Sequence, residues 1–404
     1  MLDNTIAFLY NNRVAITNWL HEHGLTNISD VFYSSIDVRH SNEKITLVDM
    51  NLFPGGFNNI NEEFYPLALG AIEQYMTDLR IDKNKLILLI PENHTRNSFY
   101  TKNIAVIRYL LLEAGYKVIL GSIGQDLSYP EDDMNESVKV VQINRIGNSI
   151  IASDGQKPDI IILNNDLSAG LPEILNDVEQ PIIPSILSGW YTRLKSQFFT
   201  QYDLICKKFA TDFNLDSWIF TTKFQELNMI DFNNPDSLNA VQLVIDKMFM
   251  EIKDEYRVHK IDKKPFLMIK ADNGTYGMGI MSIEDNFNFT KLNRKDKNKM
   301  ATIKDGWKVN KLIVQEGVES ILKTPEGHTA EPVIYSIGNN IIGGFYRVNN
   351  IKGIHDNLNS NGMYFTQMAP QDIATPIFFS YALLAKLSII AAKNELKLSP
   401  SILS

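Results

Sequence analysis

The stretch from Pro265 to Glu284, PFLMIKADNGTYGMGIMSIE, limits the fold of this chain more than any other. Phe266 to Ile269 is an unbroken apolar run closing on Lys270, and apolar character resumes from Gly279 to Ile283. Two short strands therefore flank a tip carrying Gly274, Gly277 and Gly279. Glycines at such a tip let backbone N–H groups approach an anion closely, and Lys270 sets a fixed positive charge beside it. The hairpin suits a polyphosphate. A Walker loop needs Gly-Lys-Ser/Thr opening a helix, and a dinucleotide fingerprint needs G-x-G-x-x-G between strand and helix. The spacing here is G-x-x-G-x-G with a strand following, so neither applies.

A chain of 404 residues is long enough for about two to three domains with sizeable cores. Its 39 Lys and Arg against 47 Asp and Glu, a formal charge of -8, argue against nucleic acid as the main partner, because phosphate contact needs a basic face. The one cysteine, Cys206, excludes a disulfide framework and cysteine-based zinc sites. It fits a reducing cytoplasm and reads as a buried small hydrophobe. No run approaches the ~20 apolar residues of a membrane span, and MLDNTIAFLYNNR lacks the features of a secretory signal. A cytoplasmic protein with no membrane partner is expected.

In chain order, Asp3 to His23 carries helical apolar spacing and stops at Gly24. Ile45 to Met50 reads as a strand and Glu62 to Leu79 as a helix. KLILLI, Lys85 to Ile90, is a buried strand without alternation, as when both faces of a parallel sheet are covered. A helix from about Asn103 to Ala114 and strands at Tyr116 to Leu120 and Asp159 to Leu163 follow. From about residue 40 to 185 this alternation predicts a doubly wound α/β unit, whose ligands sit beyond the carboxyl ends of the strands. Asn93, His94 and Arg96 lie there, as do Asn164 to Asp166, and Arg96 could clamp a substrate carboxylate. Lys139 to Ala152 reads as an inserted hairpin turning at Gly147-Asn148.

Gly189 to Ser196, GWYTRLKS, opens a helix on which Arg193 and Lys195, two apart, do not share a face. Pro235 to Val258 is a long amphipathic helix. Asn288 to Lys311 is basic, but its interleaved Asp and Asn favour a solvated segment. From Thr375-Pro376 a last helix, apolar nearly all round, is buried in the fold or at a subunit contact of a homo-oligomer.

KLIVQEGV, Lys311 to Val318, is a strand passing into a linker at Gln315, Glu316 and Val318, able to offer backbone groups to an adenine edge. Two further strands carry Glu331 and Arg347, and the amide-rich loop Asp356 to Gly362 follows. Magnesium takes few protein oxygens and keeps water and phosphate for the rest of its shell, so Glu331 with Asn357 or Asn359 would suffice.

This order of lysine strand, glycine loop, hinge, acidic strand, arginine strand and asparagine loop resembles the ATP-grasp superfamily over about residues 190 to 370. Within it, LSGWYTRLKSQFF, KADNGTYGMGIM, VQEGV, AEPVIY, GGFYRVN and NLNSNGM resemble the proteobacterial-type glutamate–cysteine ligases. The resemblance implies an α/β fold, α+β in its second half, with a substrate domain over residues 1–186 and an ATP-grasp domain over 187–404. It implies ATP on Lys270, Gly274, Thr275, Gly277, Gly279, Gln315, Glu316, Val318 and Lys195, and magnesium on Glu331, Asn357 and Asn359. Lys270 and Arg347 would be catalytic, and Asn93, Arg96 and Arg193 would bind substrate. The chain departs from the superfamily in having no Glu-x-Asn strand after Phe365, which leaves Asp272 and Glu316 as further candidate carboxylates. The implied reaction phosphorylates the γ-carboxylate of glutamate, and the amine of cysteine attacks the acyl phosphate. The alternatives are an ATP-grasp ligase for another acid and amine, and a non-catalytic nucleotide-binding protein.

Overall fold

The computed structural model describes residues 2–27, 31–92, 97–123, 140–273, 279–301 and 309–398. Three sheets organise these residues.

The first sheet runs Ser149–Ala152, Val140–Ile146, Lys117–Ser122, Leu86–Pro91, Ile160–Asn164, Ile182–Ile183, parallel except for the antiparallel hairpin at its first edge. The unbroken apolar runs KLILLI and DIIIL arise because both faces are covered. Ile87, Leu89, Ile160 and Ile162 enter the large central core, which includes helix Ser98–Glu113, while Leu88, Ile90, Ile161 and Leu163 enter a second core. Among the described residues that second face is closed by the edge hairpin and by Leu167, Leu171, Leu175 and Val178 from an irregular segment, not by a layer of long helices. A run of buried aliphatics reports that a face is covered, not what covers it. The parallel pairing of the doubly wound expectation is present, and among the described residues no second layer of long helices covers the sheet.

The second sheet, Ile280–Glu284, Phe266–Ala271, Leu312–Glu316, Phe224–Leu227, is antiparallel throughout. Leu238, Val241, Ile245, Met248, Phe249 and Ile252 of helix Pro235–Val258 share its core. Asn234 caps that helix by accepting a hydrogen bond from the Asp236 N–H at 2.9 Å, and Pro235 fits the first turn, where no N–H is needed.

The third sheet draws strands from both sides of residue 186. Its order is Met363–Gln367, Asn340–Asn349, Thr329–Ile337, Tyr33–His40, Ile45–Asn51. Ile45–Asn51, expected in the α/β unit, lies instead at the edge of this sheet, and Tyr33–His40, not anticipated as a strand, pairs antiparallel with Thr329–Ile337. A division at residue 186 thus separates strands that are hydrogen-bonded to one another. Pairing between remote segments leaves no local trace in sequence, and the neighbouring strand Ile45–Asn51 was assigned to its nearest partners in the chain.

The last helix, Pro376–Leu398, packs on helices Lys195–Asp212 and Leu2–Asn11 and on the third sheet. Of the two places open to it, the fold itself takes most of its apolar surface: Leu383, Leu387, Ile389 and Ile390 are each at most 2% exposed. Among the described residues it is the one helix long and apolar enough to cross a membrane, and here it is a core helix. The expected helix Asp3 to His23 is two, Leu2–Asn11 and Arg13–Glu22; at the junction Asn12 Nδ2 donates back to the Phe8 carbonyl. Cys206 is fully buried, and burial pushes its thiol pKa up.

Candidate active site

The second and third sheets face one another across a cleft of about 590 Å³, counted out to its open mouth. Strand alternation sends the functional side chains into it. On Phe266–Ala271, residues Phe266, Met268 and Lys270 line the cleft, while Leu267, Ile269 and Ala271 enter the core beneath. Gln315 lines it from the next strand, whose Leu312 and Val314 are core. From the third sheet come Asp37 and Arg39, between the buried Ile36 and Val38, with Asp49, Glu331 and Arg347.

One end of the cleft is apolar. Phe266, Met268 and Val318 form a slot of aromatic and aliphatic surface beside the linker that follows Glu316, and Val48 and Ile280 extend it towards Lys270. Gly317 permits this packing: a Cβ there would meet the Phe266 ring at 2.2 Å. His355 stacks on Phe266, 4.5 Å between centroids, and its Nε2 lies 3.1 Å from Glu319.

The other end is charged. Lys270 Nζ donates to Gln315 Oε1 and to the Val48 carbonyl, both at 2.8 Å. Burial pushes the Lys270 ammonium pKa down to about 8, with the Asp49 carboxylate pulling the other way. Asp37 and Asp49 are direct cross-strand partners, a pairing of like charges that each needs its own cation. Arg347 donates to Asp37 through Nη1 at 2.7 Å and Nη2 at 3.1 Å, and Lys195 donates to Asp49 at 2.6 Å. Burial raises the Asp37 pKa, Arg347 opposes the rise, and Glu331 adds to it. For Asp49 burial acts upward, but Lys195 and Lys270 prevail and hold it below its ordinary value.

Of the expected site residues, Lys270, Gln315, Glu316, Val318, Glu331, Arg347, Asn357 and Asn359 line this one cleft. Lys195 reaches it through Asp49, while Gly279 stands just before the strand Ile280–Glu284, its carbonyl accepting from the Ala271 N–H at 3.2 Å. Gly274, Thr275 and Gly277, and with them Asn93 and Arg96, lie outside the described residues. Arg193 is elsewhere. Its Nε donates to both carboxylate oxygens of Glu395 at 3.0 and 3.1 Å, its Nη1 to the Met50 carbonyl, and only 4% of it is exposed. It ties the last helix to the strand Ile45–Asn51.

Two candidate carboxylates are likewise occupied. Asp272 accepts from the Ser196 N–H at 2.8 Å and from its hydroxyl at 2.6 Å, which caps helix Lys195–Asp212 from across the chain. Glu316 accepts from Lys44 Nζ and from the Lys223 N–H, so this carboxylate is taken, and the N–H groups of Glu316 and Gly317 donate to the carbonyls of Lys223 and Phe266.

Asp37, Arg39, Asp49, Lys44 and His355 were missed. The signal for the first two was present: Ile36-Asp37-Val38-Arg39 alternates as a strand with one buried face and a charged pair on the other. Asn349 was missed as well. Wholly buried at the end of its strand, it donates to the carbonyls of Leu358 and Asn361 and accepts from the N–H groups of Ile351 and Lys352, shaping the loop that carries Asn357 and Asn359.

Residues 7–396 match the family described as GshA, glutamate-cysteine ligase. The structure is similar to the crystal structure of a putative gamma-glutamylcysteine synthetase from Methylobacillus flagellatus KT: TM-score 0.88 at 34% identity, over 98% of this chain and 96% of that one. A glutathione synthetase-like effector, GSS30, from Globodera pallida aligns over 90% of this chain and 80% of its own at 11% identity and a TM-score of 0.39, too slight a likeness to build on. No curated protein matches the sequence at a significant level. A family match over nearly the whole length, with a solved relative of the same extent, leads to one statement: this chain belongs to the glutamate–cysteine ligase family.

Proposed function

We propose that the protein joins the γ-carboxylate of L-glutamate to the amine of L-cysteine, with ATP cleaved to ADP and phosphate, the first step of glutathione synthesis. The observation that carries this reading is the cleft itself. An apolar slot beside the linker leads to a buried amine, Lys270, and on to the guanidinium group of Arg347. Base and ribose belong at the first end and the triphosphate at the second.

ATP transfers its γ-phosphoryl group to the glutamate carboxylate, giving an acyl phosphate and ADP. The cysteine amine then attacks the acyl carbon, the amide bond forms, and phosphate leaves. No protein nucleophile is required. The Lys270 ammonium and the Arg347 guanidinium face the charge that develops on the transferred group, and alignment supplies much of the rest.

Magnesium fits the residues present. Glu331 is 2% exposed, and its Oε2, 2.7 Å from Arg39 Nε, makes no hydrogen bond, so an incompletely satisfied hard-oxygen donor stands in a cleft where Asn357 and Asn359 add amide oxygens. Among the described residues no group of three acidic, imidazole or thiol side chains could hold a metal by itself, consistent with an ion that takes most of its shell from phosphate and water. Bound there, the ion would neutralise phosphate charge. A cytoplasmic site of action belongs to the same reading.

The test is phosphate release over a panel of acids and amines, with the product identified by mass. Release that requires both glutamate and cysteine, and yields γ-glutamylcysteine, supports the proposal. Release with glutamate but indifferent to cysteine would favour another amine. No release with any pair, or Lys270→Ala at full activity, would point to a nucleotide-binding protein without ligase chemistry.

A further inference from the structure

The free cleft is neutralised from within. Arg347 Nη1 lies 2.7 Å from Asp37 Oδ2 and 2.7 Å from Glu331 Oε1, and Arg39 Nε lies 2.7 Å from Glu331 Oε2. All four side chains are largely out of water. The buried pair Arg193–Glu395 shows what a structural pair looks like in this protein: Nε reaches both carboxylate oxygens and Nη1 a backbone carbonyl. The cleft network is left incomplete. Glu331 Oε2 sits beside Arg39 without hydrogen-bond geometry, and Arg347 Nε is buried with no partner.

Two carboxylates cannot be buried side by side without a counter-charge, and a cation that satisfies them only in part is a placeholder. We propose that Asp37 joins Glu331 as a ligand of the divalent ion, and that Arg347 is the exchangeable counter-ion holding that place in the free protein. When metal and nucleotide enter together, the carboxylates pass to the metal and the guanidinium to the phosphoryl oxygens. The inference rests on the nucleotide and magnesium reading above and adds two points to it: the second carboxylate comes from the strand Tyr33–His40, and metal and nucleotide bind cooperatively through one arginine. An ion arriving alone must displace Arg347 with nothing to receive it, whereas triphosphate oxygens supply the receiving anion. Each ligand therefore raises the affinity of the other.

Mn²⁺ is the probe, its free concentration followed by electron paramagnetic resonance in titrations of the full chain, with and without a non-hydrolysable ATP analogue. The wild-type protein should bind Mn²⁺ weakly alone and tightly with the analogue. Arg347→Gln should bind Mn²⁺ alone about tenfold more tightly than wild type, because the site is no longer occupied, and the analogue should then add less. Asp37→Asn should lose protein-bound Mn²⁺ in both conditions. Should Arg347→Gln not fold, Arg347→Lys, which cannot fork onto two carboxylates, should show an intermediate gain. Nucleotide-free Mn²⁺ affinity at the wild-type level in folded Arg347 variants would overturn the exchange, and undiminished binding by Asp37→Asn would overturn the ligand assignment. Wild-type protein that binds the analogue but never takes up Mn²⁺ would defeat the metal reading itself.

Discussion

Lys44 Nζ donates to the two carboxylate oxygens of Glu316 at 3.0 and 3.1 Å, with the side chains 3% and 1% exposed, and sits 4.2 Å from the centre of the Trp218 ring. The turn between the first two strands of the third sheet thereby holds the strand end that would carry the adenine. Removing the amine leaves a carboxylate in a dry site. Lys44→Met should cost about 3–5 kcal/mol in denaturant unfolding, and Lys44→Met with Glu316→Gln should recover most of it. Nucleotide affinity, measured calorimetrically, should fall in the single variant more than in the double.

The Lys270 amine, held near pKa 8, loses its charge within an accessible pH range. Triphosphate binding should therefore weaken as pH rises through about 8, and binding near that pH should take up a proton, read as a dependence of calorimetric heat on buffer ionisation enthalpy. Lys270→Met should abolish the uptake. In the ligand-free protein the sign reverses. The folded value lies below the ordinary 10.5, so between the two the unfolded chain binds more protons and this group adds stability as pH rises.

Arg193 and Glu395 predict a stability defect in place of a substrate defect. Arg193→Met leaves Glu395 buried without its cation, at a cost of about 3–5 kcal/mol. KM for the acid substrate in the folded fraction should stay at the wild-type value; a raised KM with unchanged stability would return Arg193 to the substrate site.

Asn349→Ala would strand the carbonyls of Leu358 and Asn361 and the N–H groups of Ile351 and Lys352. The expected loss is on the order of 2–4 kcal/mol by chemical denaturation, and the magnesium concentration needed for half-maximal activity should rise, because the loop carries Asn357 and Asn359.

Gly317→Ala brings a methyl group to 2.2 Å from the Phe266 ring, where the strand enters the linker. Overpacking of this kind costs about 1–3 kcal/mol. A rise in nucleotide Kd at unchanged magnesium dependence would separate it from the Asn349 defect.

Much of the cleft was legible because its strands alternate locally. The sequence around Lys270 shows which residues face outward, and Gln315, Glu331 and Arg347 fall on similar short strands with glycine turns nearby. What escaped was carried by distance along the chain. Nothing in YSSIDVRH announces that Asp37 meets Arg347, and the pairing of Tyr33 with Ile337 joins opposite ends of the polypeptide. The pairing of Arg193 is hidden for a related reason: its partner, Glu395, lies on the last helix, far along the chain. Burial of charge is visible in neither residue alone.

The edge formed by Tyr33–His40 and Ile45–Asn51 also bears on how the protein is made. These strands are translated well before Thr329–Ile337, the strand on which Tyr33–His40 pairs. The parallel sheet around Leu86–Pro91 can form while synthesis continues. The cleft between the second and third sheets cannot: Tyr33–His40 and Ile45–Asn51 pair with each other as a local hairpin, but that hairpin joins its sheet only through a strand far along the chain, a long-range closure of the kind that slows folding.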